Sequence, residues 1–235
     1  MGSIKQNIDD ILGRMRAAQR QYGVPEERVR LLCVTKTKPV SDIMQAYEAG
    51  QRFFGESYAN EAGPKIEEIR SSGIGDIRWH FIGPIQTNKI KHIANVFDVV
   101  ESVDRPKVAQ MLNDKRDPSL GPLEVLVQVN ISGEGQKSGV DPAGADGLIA
   151  LIRSLPNLRL RGLMGIALET EDASMIEAQF ESLRGMFGRY AGQIEGFDQL
   201  SMGMTHDLEI AIKCGSTQIR IGTAIFGPRE YRSKA

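Results

Sequence analysis

A lysine at the end of an apolar segment is the first residue of this sequence that could do chemistry. Lys36 follows the run Leu31–Val34, and period-two alternation would place Leu32, Val34 and Lys36 on one face of a strand. If that face lines an enclosed pocket, loss of hydration lowers the pKa of the lysine, and its neutral amine can form a Schiff base with an aldehyde. The alternative is a strand-end lysine whose ammonium group reaches solvent, as we expect for Lys38.

Two short segments near the end of the chain combine glycines with hydroxyl side chains, a composition typical of phosphate sites. Glycine lets backbone N–H groups approach an anion, a hydroxyl donates a hydrogen bond, and a following helix N-terminus adds partial positive charge. Close packing of strand against helix, with Thr205 as a helix N-cap, would explain the same residues. We prefer the phosphate interpretation because both segments support it, and together with the lysine it predicts a phosphorylated aldehyde as ligand. The residues are Ser201 and Gly203 in one segment and Arg220, Gly222 and Thr223 in the other.

The remaining candidate groups do not indicate a metal site. His80 lies within a predicted strand, where a buried histidine bonded to a carbonyl is the commoner arrangement and a ligand-binding histidine is the alternative. His80, His92 and His206 lack metal-ligand spacing, and Cys33 and Cys214 stand far apart in apolar segments. We therefore predict no bound metal, no disulfide and a reduced, cytoplasmic location.

The composition argues against several classes of protein. Hydrophobic residues make up 41% and charged residues 25% of the 235 residues, which is typical of a globular protein. The formal net charge of −1 gives no field that would attract nucleic acid, and we interpret the basic run Lys89, Lys91 and His92 as a solvated helix face. The sequence has neither the long apolar run of a membrane span nor a recognisable secretion signal. We expect neither nucleic-acid nor membrane binding.

Short β-branched segments alternate with segments of helical apolar spacing along the whole chain. This order is typical of βα units on a parallel sheet, and eight units predict a single (β/α)8 TIM barrel over residues 1–235. A doubly wound open sheet is the rival fold, but the glycine fingerprint of dinucleotide-binding sheets does not follow the first strand. The predicted strands are Leu31–Lys36, Arg52–Glu56, Arg78–Gly83, Val96–Ser102, Glu124–Asn130, Leu160–Ile166, Gln199–Gly203 and Gln218–Gly227.

Helical segments are predicted between these strands, and one more precedes them. Apolar spacing and turn residues indicate helices at Asp42–Ala49, Asp172–Tyr190 and Asp207–Lys213. We expect an extra N-terminal amphipathic helix over Ile4–Gln21 to cap one mouth of the barrel. The glycine- and serine-rich segment Asn130–Gly139 is either a mobile lid over the mouth or an ordinary crossover, in which case Lys137 has no special role.

Seven segments, in this order, resemble those of the pyridoxal phosphate homeostasis proteins over nearly the full length of the chain. The resemblance implies a single barrel similar to the N-terminal domain of alanine racemase, and it implies pyridoxal 5′-phosphate as the bound cofactor. The segments are Val34–Pro39, Phe54–Glu56, Trp79–Gly83 with Gln86, Asn88 and Lys89, Ser132–Glu134 with Lys137–Gly139, Leu163–Gly165, Ser201–Met204 and Arg220–Gly227.

The resemblance also implies a role for individual residues. Lys36 would carry the cofactor as a Schiff base, and Arg220 would face the pyridine nitrogen. An arginine can only donate hydrogen bonds, so it would leave that nitrogen unprotonated and weaken the cofactor as an electron sink. Ser201, Gly203, Gly222 and Thr223 would hold the phosphate, and Ser57, His80 and Met164 complete the predicted cofactor-binding residues.

Two positions depart from the family pattern. The family usually has Asn where this chain has Ser57, so an amide contact near the cofactor would be shortened or replaced by water. The family usually has Ser followed by a small or acidic residue where this chain has Thr205 and His206, and the histidine would alter the charge near the phosphate. Neither departure removes a residue that the Schiff base needs.

The resemblance favours a protein that stores, buffers or delivers pyridoxal phosphate without turning over a dedicated substrate. A low-activity amino-acid racemase is the alternative, but it would need an acid–base group on the opposite face of the cofactor, from a second domain for which the sequence leaves no room. A Schiff-base aldolase acting on a phosphorylated sugar would share the lysine and the phosphate site but not the family segments. The implied partners are apo-forms of pyridoxal-phosphate-dependent enzymes, and we expect a monomer.

Overall fold

The computed structural model of the chain describes residues 2–134 and 138–228. Within them, eight parallel strands close into a barrel in chain order, and β1 pairs with β8 to complete it. This confirms the (β/α)8 barrel and excludes the open sheet. That all of residues 1–235 form one domain stays a prediction. The strands are β1 (Arg30–Val34), β2 (Phe53–Glu56), β3 (Arg78–Phe81), β4 (Val99–Val103), β5 (Leu123–Val129), β6 (Leu158–Gly165), β7 (Gln199–Ser201) and β8 (Gln218–Ile221).

Helices follow the strands and surround the barrel, as the crossover between parallel strands requires. Prolines or capping side chains begin several of them; the Asp172 side chain, for example, accepts hydrogen bonds from the first turn of α7. The helices are α1 (Ile4–Tyr22), α2 (Val40–Glu48), α3 (Ala59–Ser71), α4 (Ile90–Val96), α5 (Pro106–Lys115), α6 (Pro142–Arg153), α7 (Ala173–Tyr190), α8 (Leu208–Lys213) and α9 (Thr223–Phe226).

The N-terminal helix α1 is present, but it lies in the outer ring rather than across a barrel mouth. It packs against α2, α8 and α9. Asn7 donates to the Ile225 carbonyl oxygen at 2.8 Å, and Arg14 forms an ion pair with Glu209 at 2.9 Å. In the described residues up to 228, the single turn of α9 is the helical segment that follows β8, and α1 covers the outside of the barrel beside it.

Two strand boundaries differ from the sequence prediction in ways that shape the site. β1 ends at Val34, and Lys36 lies in a turn, where Thr37 has a φ of 66° that no strand residue adopts. β8 ends at Ile221, and the predicted continuation to Gly227 is the helical turn α9, whose residues Ile225 and Phe226 donate to the Gly222 carbonyl oxygen at 2.9 Å. Alternation along β1 therefore does not determine where Lys36 points.

The other predicted elements are shifted by smaller amounts. Val96 belongs to the end of α4 rather than to β4, and Gly203 lies beyond the end of β7. The remaining strands and the three predicted inter-strand helices each shift by one to two residues at one or both ends. Such shifts are ordinary for element ends.

The apolar core consists of two parts. The larger part lies between the strands and the helices and contains alternate residues of each strand, such as Leu31 and Cys33 of β1 and Ile219 and Ile221 of β8. The smaller part lies inside the barrel and is formed by Val99, Leu126 and Met164. Buried polar side chains occupy much of the remaining interior, which in TIM barrels is usually filled by branched apolar residues.

Neither a membrane span nor a metal cluster is found in the part of the chain that the structure describes. No helix there is both long and apolar enough to cross a bilayer. No group of three or more His, Cys, Asp or Glu side chains there could hold a metal ion. Cys33 and Cys214 are buried free thiols, and burial raises the pKa of Cys214 to about 12.

Gly162→Ala should destabilise the barrel, because a Cβ at this position would lie 1.7 Å from the Gln199 carbonyl oxygen of the neighbouring strand. Overpacking of this kind costs about 1–3 kcal/mol or more of the free energy of unfolding. Gly185→Ala in α7 is the control, since nothing lies within 4 Å of the added Cβ, and it should stabilise the fold by up to about 1 kcal/mol. Urea unfolding measures both, and equal effects would contradict the packing argument.

Candidate functional site

A cavity of about 520 Å³ opens at the carboxyl ends of the strands. This is the end of the barrel where TIM-barrel proteins place their sites, and the volume suits a small cofactor. Val34, Ile82 and Ile166 contribute apolar walls. Six of the nine predicted site residues line it, namely Lys36, Ser57, Met164, Arg220, Gly222 and Thr223; the other three, His80, Ser201 and Gly203, do not.

The turn that carries Lys36 is held from outside by α3. The backbone N–H of Thr37 donates to Glu61 Oε1 at 2.6 Å. This bond fixes the residue next to Lys36 in its left-handed conformation, which a β-branched residue adopts only when its surroundings enforce it. Lys36 itself is half-buried at the edge of the cavity.

A buried ion cluster lies under this turn. The Lys65 ammonium group donates to the Thr35 carbonyl oxygen at 3.2 Å and to Glu56 Oε1 at 3.1 Å, and it also pairs with Glu61. Glu56 is fully buried, and burial raises the pKa of its carboxyl although Lys65 and the Thr35 hydroxyl oppose that shift. The cluster therefore joins β1, β2 and α3 directly beneath the turn that carries Lys36.

Lys38 does not reach solvent freely, in contrast to the sequence expectation. Its ammonium group donates to the carbonyl oxygens of Phe226 and Pro228 at 2.8 and 2.9 Å. It therefore ties the turn after β1 to the end of α9, and it is absent from the cavity lining, unlike Lys36. Lys137 lies outside the described residues.

The end of β8 lines the cavity beside the end of β1, with which it pairs. A Cβ added to Gly222 would lie 3.2 Å from the Val34 carbonyl oxygen, so a glycine keeps the strand end close to β1. Thr223 begins the helical turn α9, whose first N–H groups have no intrahelical acceptor. The exposed hydroxyl of Thr223 and these N–H groups are part of the donor set that the sequence analysis assigned to a phosphate, which also included Ser201 and Gly203.

Five buried side chains form a hydrogen-bonded group beneath the cavity, which we name the lumen cluster: His80, Glu101, Ser201, Gln218 and Arg220. Arg220 NH1 donates to the Ser201 hydroxyl at 2.7 Å, and its NH2 donates to the Gly165 carbonyl oxygen at 2.9 Å. These two bonds use two of the five N–H groups of a guanidinium. Arg220 is therefore the member of the cluster that lines the cavity and has donors left for a ligand.

Ser201 lies at the floor of the site rather than in its lining. Its hydroxyl donates to Glu101 Oε2 at 2.6 Å and accepts from Arg220 and from Gln218. A hydroxyl has one proton, so this geometry leaves none for a phosphate. The predicted phosphate role of Ser201 stays a prediction, but the structure gives its side chain a different set of partners.

His80 and Gly203 also lie outside the cavity lining. His80 Nδ1 is 2.6 Å from Glu101 Oε1, so the buried histidine is bonded to a carboxylate rather than to a backbone carbonyl. Gly203 has a φ of 96°, and a Cβ there would lie 2.5 Å from that of Ala211 in α8. Gly203 therefore allows the chain to turn closely past α8 after β7.

Sequence reasoning assigned no role to Glu101, Glu61 and Lys65. Glu101 had a visible signal, because it interrupts the apolar segment Val99–Val103 and a charged residue in a barrel strand needs a partner. Glu61 and Lys65 are four residues apart on α3, a spacing that indicates an ion pair on a helix. Nothing in that spacing indicates that the pair holds the Lys36 turn.

Lys65→Met should destabilise the protein, because it leaves the buried carboxylate of Glu56 without its cation. Loss of one partner of a buried pair costs about 3–5 kcal/mol, and we expect the lower end because Lys65 is slightly exposed. The pKa of Glu56, already raised by burial, rises further in the variant. The deficit should therefore grow as the pH rises from the wild-type pKa of Glu56 to the higher pKa in the variant, stay constant above it, and shrink as the pH falls below both.

Lys213→Met is the control for this experiment. It removes a surface ion pair with Glu177, whose side chains are 43% and 38% exposed, and should change the free energy of unfolding by less than about 1 kcal/mol. Urea unfolding at several pH values compares the two variants. A Lys65→Met deficit as small as that of the control, or independent of pH, would contradict the buried-pair interpretation.

Comparison with known proteins gives a family match over almost the whole chain. Residues 6–230 match the family model described as alanine racemase, N-terminal domain. A pyridoxal phosphate homeostasis protein of Vibrio alginolyticus is 47% identical over 232 residues, which cover 98% of this chain and 100% of that protein. The protein of the same name from Escherichia coli K12 is 45% identical over 238 residues, and the alignment covers 100% of both chains.

A solved structure extends the comparison to a bound ligand. PipY of Synechococcus elongatus, whose structure contains pyridoxal phosphate, is 32% identical and superposes with a TM-score of 0.78 over 92% of this chain and 100% of that one.

Proposed function

This chain belongs to the alanine racemase N-terminal domain family and, within it, to the pyridoxal phosphate homeostasis proteins, and from that premise we propose that it binds pyridoxal 5′-phosphate in the cavity at the barrel mouth. It holds the cofactor for storage, buffering or delivery. The observation that carries this proposal is that Lys36, Arg220 and the Gly222–Thr223 turn line one cavity.

The residues of the cavity match the functional groups of this cofactor. The Lys36 amine suits the aldehyde, and the Thr223 and Thr205 hydroxyls with the N–H groups of α9 suit the phosphate. Met164 and Ile82 offer apolar surface to the ring. Gly222 lets this strand end pack closely against Val34 of β1, where a Cβ would lie 3.2 Å from the Val34 carbonyl oxygen.

Arg220 determines what the site can do with the cofactor. When bound, pyridoxal phosphate supplies an aldehyde that reacts with amines and a ring that stabilises negative charge when its nitrogen is protonated. Arg220 carries only donors and stays charged, so it places a donor and no proton acceptor at the ring nitrogen. A site built in this way holds the cofactor but gives little support to carbanion chemistry.

A holding function without dedicated turnover follows from the same residues. The named relatives are homeostasis proteins rather than enzymes. A racemase needs two acid–base groups on opposite faces of the cofactor. The titratable side chains in the described lining are Lys36, His206 and Arg220, and Arg220 cannot exchange a proton at ordinary pH. We therefore place racemase activity second, as a weak side reaction of Lys36 and His206.

The rim of the cavity offers a surface for an enzyme that accepts the cofactor. Tyr58, next to Ser57, is 48% exposed, and Met204 and Ile166 are 40% and 36% exposed. These are three of the six large hydrophobic side chains that are exposed in the described ranges. Met204 and Ile166 line the cavity, and Tyr58 follows the lining residue Ser57. Exposed apolar side chains beside a site are typical of binding surfaces. An apo-enzyme that receives pyridoxal phosphate is the proposed partner; a monomeric state and a cytoplasmic location stay predictions of the sequence.

Borohydride reduction of the cofactor-loaded protein should attach the phosphopyridoxyl group to Lys36, because this lysine lines the cavity. Peptide mass mapping locates the group, and Lys36→Ala should lose the absorption band of the bound cofactor completely. Lys38→Ala is the control and should keep the band, since the Lys38 amine is bonded to the Phe226 and Pro228 carbonyls. Attachment to Lys38, Lys89 or Lys137 in place of Lys36 would refute the proposal, and absence of any band would favour the phosphorylated-sugar aldolase.

Tyr58→Ser should slow transfer of pyridoxal phosphate to an apo-enzyme severalfold while leaving the affinity of the carrier for the cofactor unchanged, because Tyr58 contributes to the rim and not to the cavity lining. Leu120→Ser is the control: Leu120 is 50% exposed but precedes β5, at the opposite end of the barrel. Transfer is followed by the recovery of apo-enzyme activity. Equal transfer rates for the two variants would contradict the proposal that the rim takes part in transfer.

A further inference from the structure

Arg220 is connected to a carboxylate on the far side of the barrel through a single hydroxyl. Ser201 donates its one proton to Glu101 Oε2 at 2.6 Å, so its oxygen is left to accept from Arg220 NH1 at 2.7 Å. β4, which carries Glu101, is not a neighbour of β7 or β8 in the barrel. The contact therefore crosses the barrel interior, and the direction of the Ser201 O–H bond depends on the carboxylate.

Glu101 is itself fixed in place. Its Oε1 accepts from His80 Nδ1 and from Gln218 Nε2, each at 2.6 Å, and the residue is fully buried. A buried carboxylate that accepts three hydrogen bonds has little freedom to move. The position of Ser201, and with it one anchor of Arg220, is thus set by a rigid group.

The charges of the lumen cluster compensate each other. Burial alone would raise the pKa of Glu101, but the bond to His80, the charge of Arg220 and the bond from Ser201 outweigh it and hold that pKa below its ordinary value. Burial lowers the pKa of Arg220, and the negative charges of Glu101 and Asp207 oppose that shift. Glu101 is therefore the ionised counter-charge of a buried guanidinium.

We propose that Glu101 is a positioning residue for the ring end of the cofactor: acting through Ser201, it holds Arg220 at the floor of the cavity as a charged donor. The proposal rests on the proposed function, because the position of Arg220 affects pyridoxal phosphate only if the cofactor binds in this cavity. Glu101 does not touch the ligand.

Loss of the Glu101 charge has a definite physical consequence. Glu101→Gln keeps the size and one oxygen acceptor, but it leaves Arg220 buried with Asp207 as its other nearby carboxylate. An unpaired buried cation is strongly unfavourable, so the guanidinium shifts from its place between Ser201 and the Gly165 carbonyl oxygen. The ring nitrogen of bound pyridoxal phosphate then loses its fixed donor, and its absorption spectrum changes.

The first measurement uses the protein without cofactor and tests the coupling of the two residues. Urea unfolding is compared for wild type, Glu101→Gln, Arg220→Gln and the double variant. We expect each single variant to raise the unfolding equilibrium constant about tenfold or more, and the double variant to raise it by much less than the product of the two. Strictly multiplicative effects would overturn the coupling whether or not the cofactor binds.

The second measurement uses the absorption spectrum of the same proteins loaded with pyridoxal phosphate. Glu101→Gln should displace the cofactor band in the same direction as Arg220→Gln, and the double variant should show no further displacement. Glu124→Gln is the matched control, because Glu124 is a largely buried glutamate of β5 whose carboxylate pairs with Arg78 and Arg161 rather than with the lumen cluster. It should leave the band in place. A purely structural role for Glu101 would alter stability and leave the band unchanged.

Ser201→Ala keeps the experiment decisive if Glu101→Gln does not fold. It removes only the hydroxyl between Glu101 and Arg220 and should displace the band in the same direction. A wild-type protein without a cofactor band would refute the proposed function, while a wild-type band that neither Glu101→Gln nor Ser201→Ala displaces would refute the role of Glu101 alone.

Discussion

The pairing of β1 with β8 is the interaction on which the cavity depends. Leu32 pairs with Arg220 and Cys33 with Ile221, so the first and last strands of the barrel are in register. This register brings the turn after β1, with Lys36, beside the turn after β8, with Gly222 and Thr223. These two turns are far apart in the chain. Closure of the barrel brings the Lys36 amine and the hydrogen-bond donors for an anion to one place. Lys38 reinforces the closure by bonding to the end of α9.

The polar interior of the barrel is the second constraint. A TIM barrel is usually filled by apolar layers, and here a small apolar group, Val99, Leu126 and Met164, is accompanied by the lumen cluster. Buried charges contribute to stability only when they are paired and hydrogen-bonded, so each member of this cluster depends on the others. Two side-chain atoms of the cluster, His80 Nε2 and Gln218 Oε1, are buried without a hydrogen-bond partner in the structure. Such atoms are unfavourable for stability, which is typical of sites selected for function rather than for packing.

The sequence was sufficient for the barrel because periodicity and turn residues are local signals, and eight βα units allow few topologies. The sequence was also sufficient to predict that four residues line the same cavity, since the strand ends of a barrel meet at one mouth. These residues are Lys36, Arg220, Gly222 and Thr223.

The sequence was insufficient where distant residues decide the local structure. The end of β1 is set by Glu61 and Lys65 of α3, and an alternation pattern contains no information about them. The segment Thr223–Phe226 is β-branched and apolar, so it resembles a strand, but the bonds to Gly222 and the packing against α1 make it helical. The bond from Ser201 to Glu101 joins residues 100 positions apart, and no pattern in either strand indicates the other.

Burial varies across the cavity in a way that suits reversible holding. Arg220 and Met164 are buried at its floor, whereas Lys36 and Thr205 are half-buried and Thr223 and His206 are exposed at its mouth. A ligand bound as we propose would meet buried groups at its ring end and, at its other end, groups that water can reach. Hydrolysis of a Schiff base requires water at the lysine, and a phosphate that partly faces solvent can be taken over by donors of another protein. An enzyme gains rate by excluding water and stabilising a transition state, whereas a carrier has no transition state to stabilise and must release its ligand. The distribution of exposed and buried groups in this cavity therefore favours a protein that holds its cofactor and gives it up.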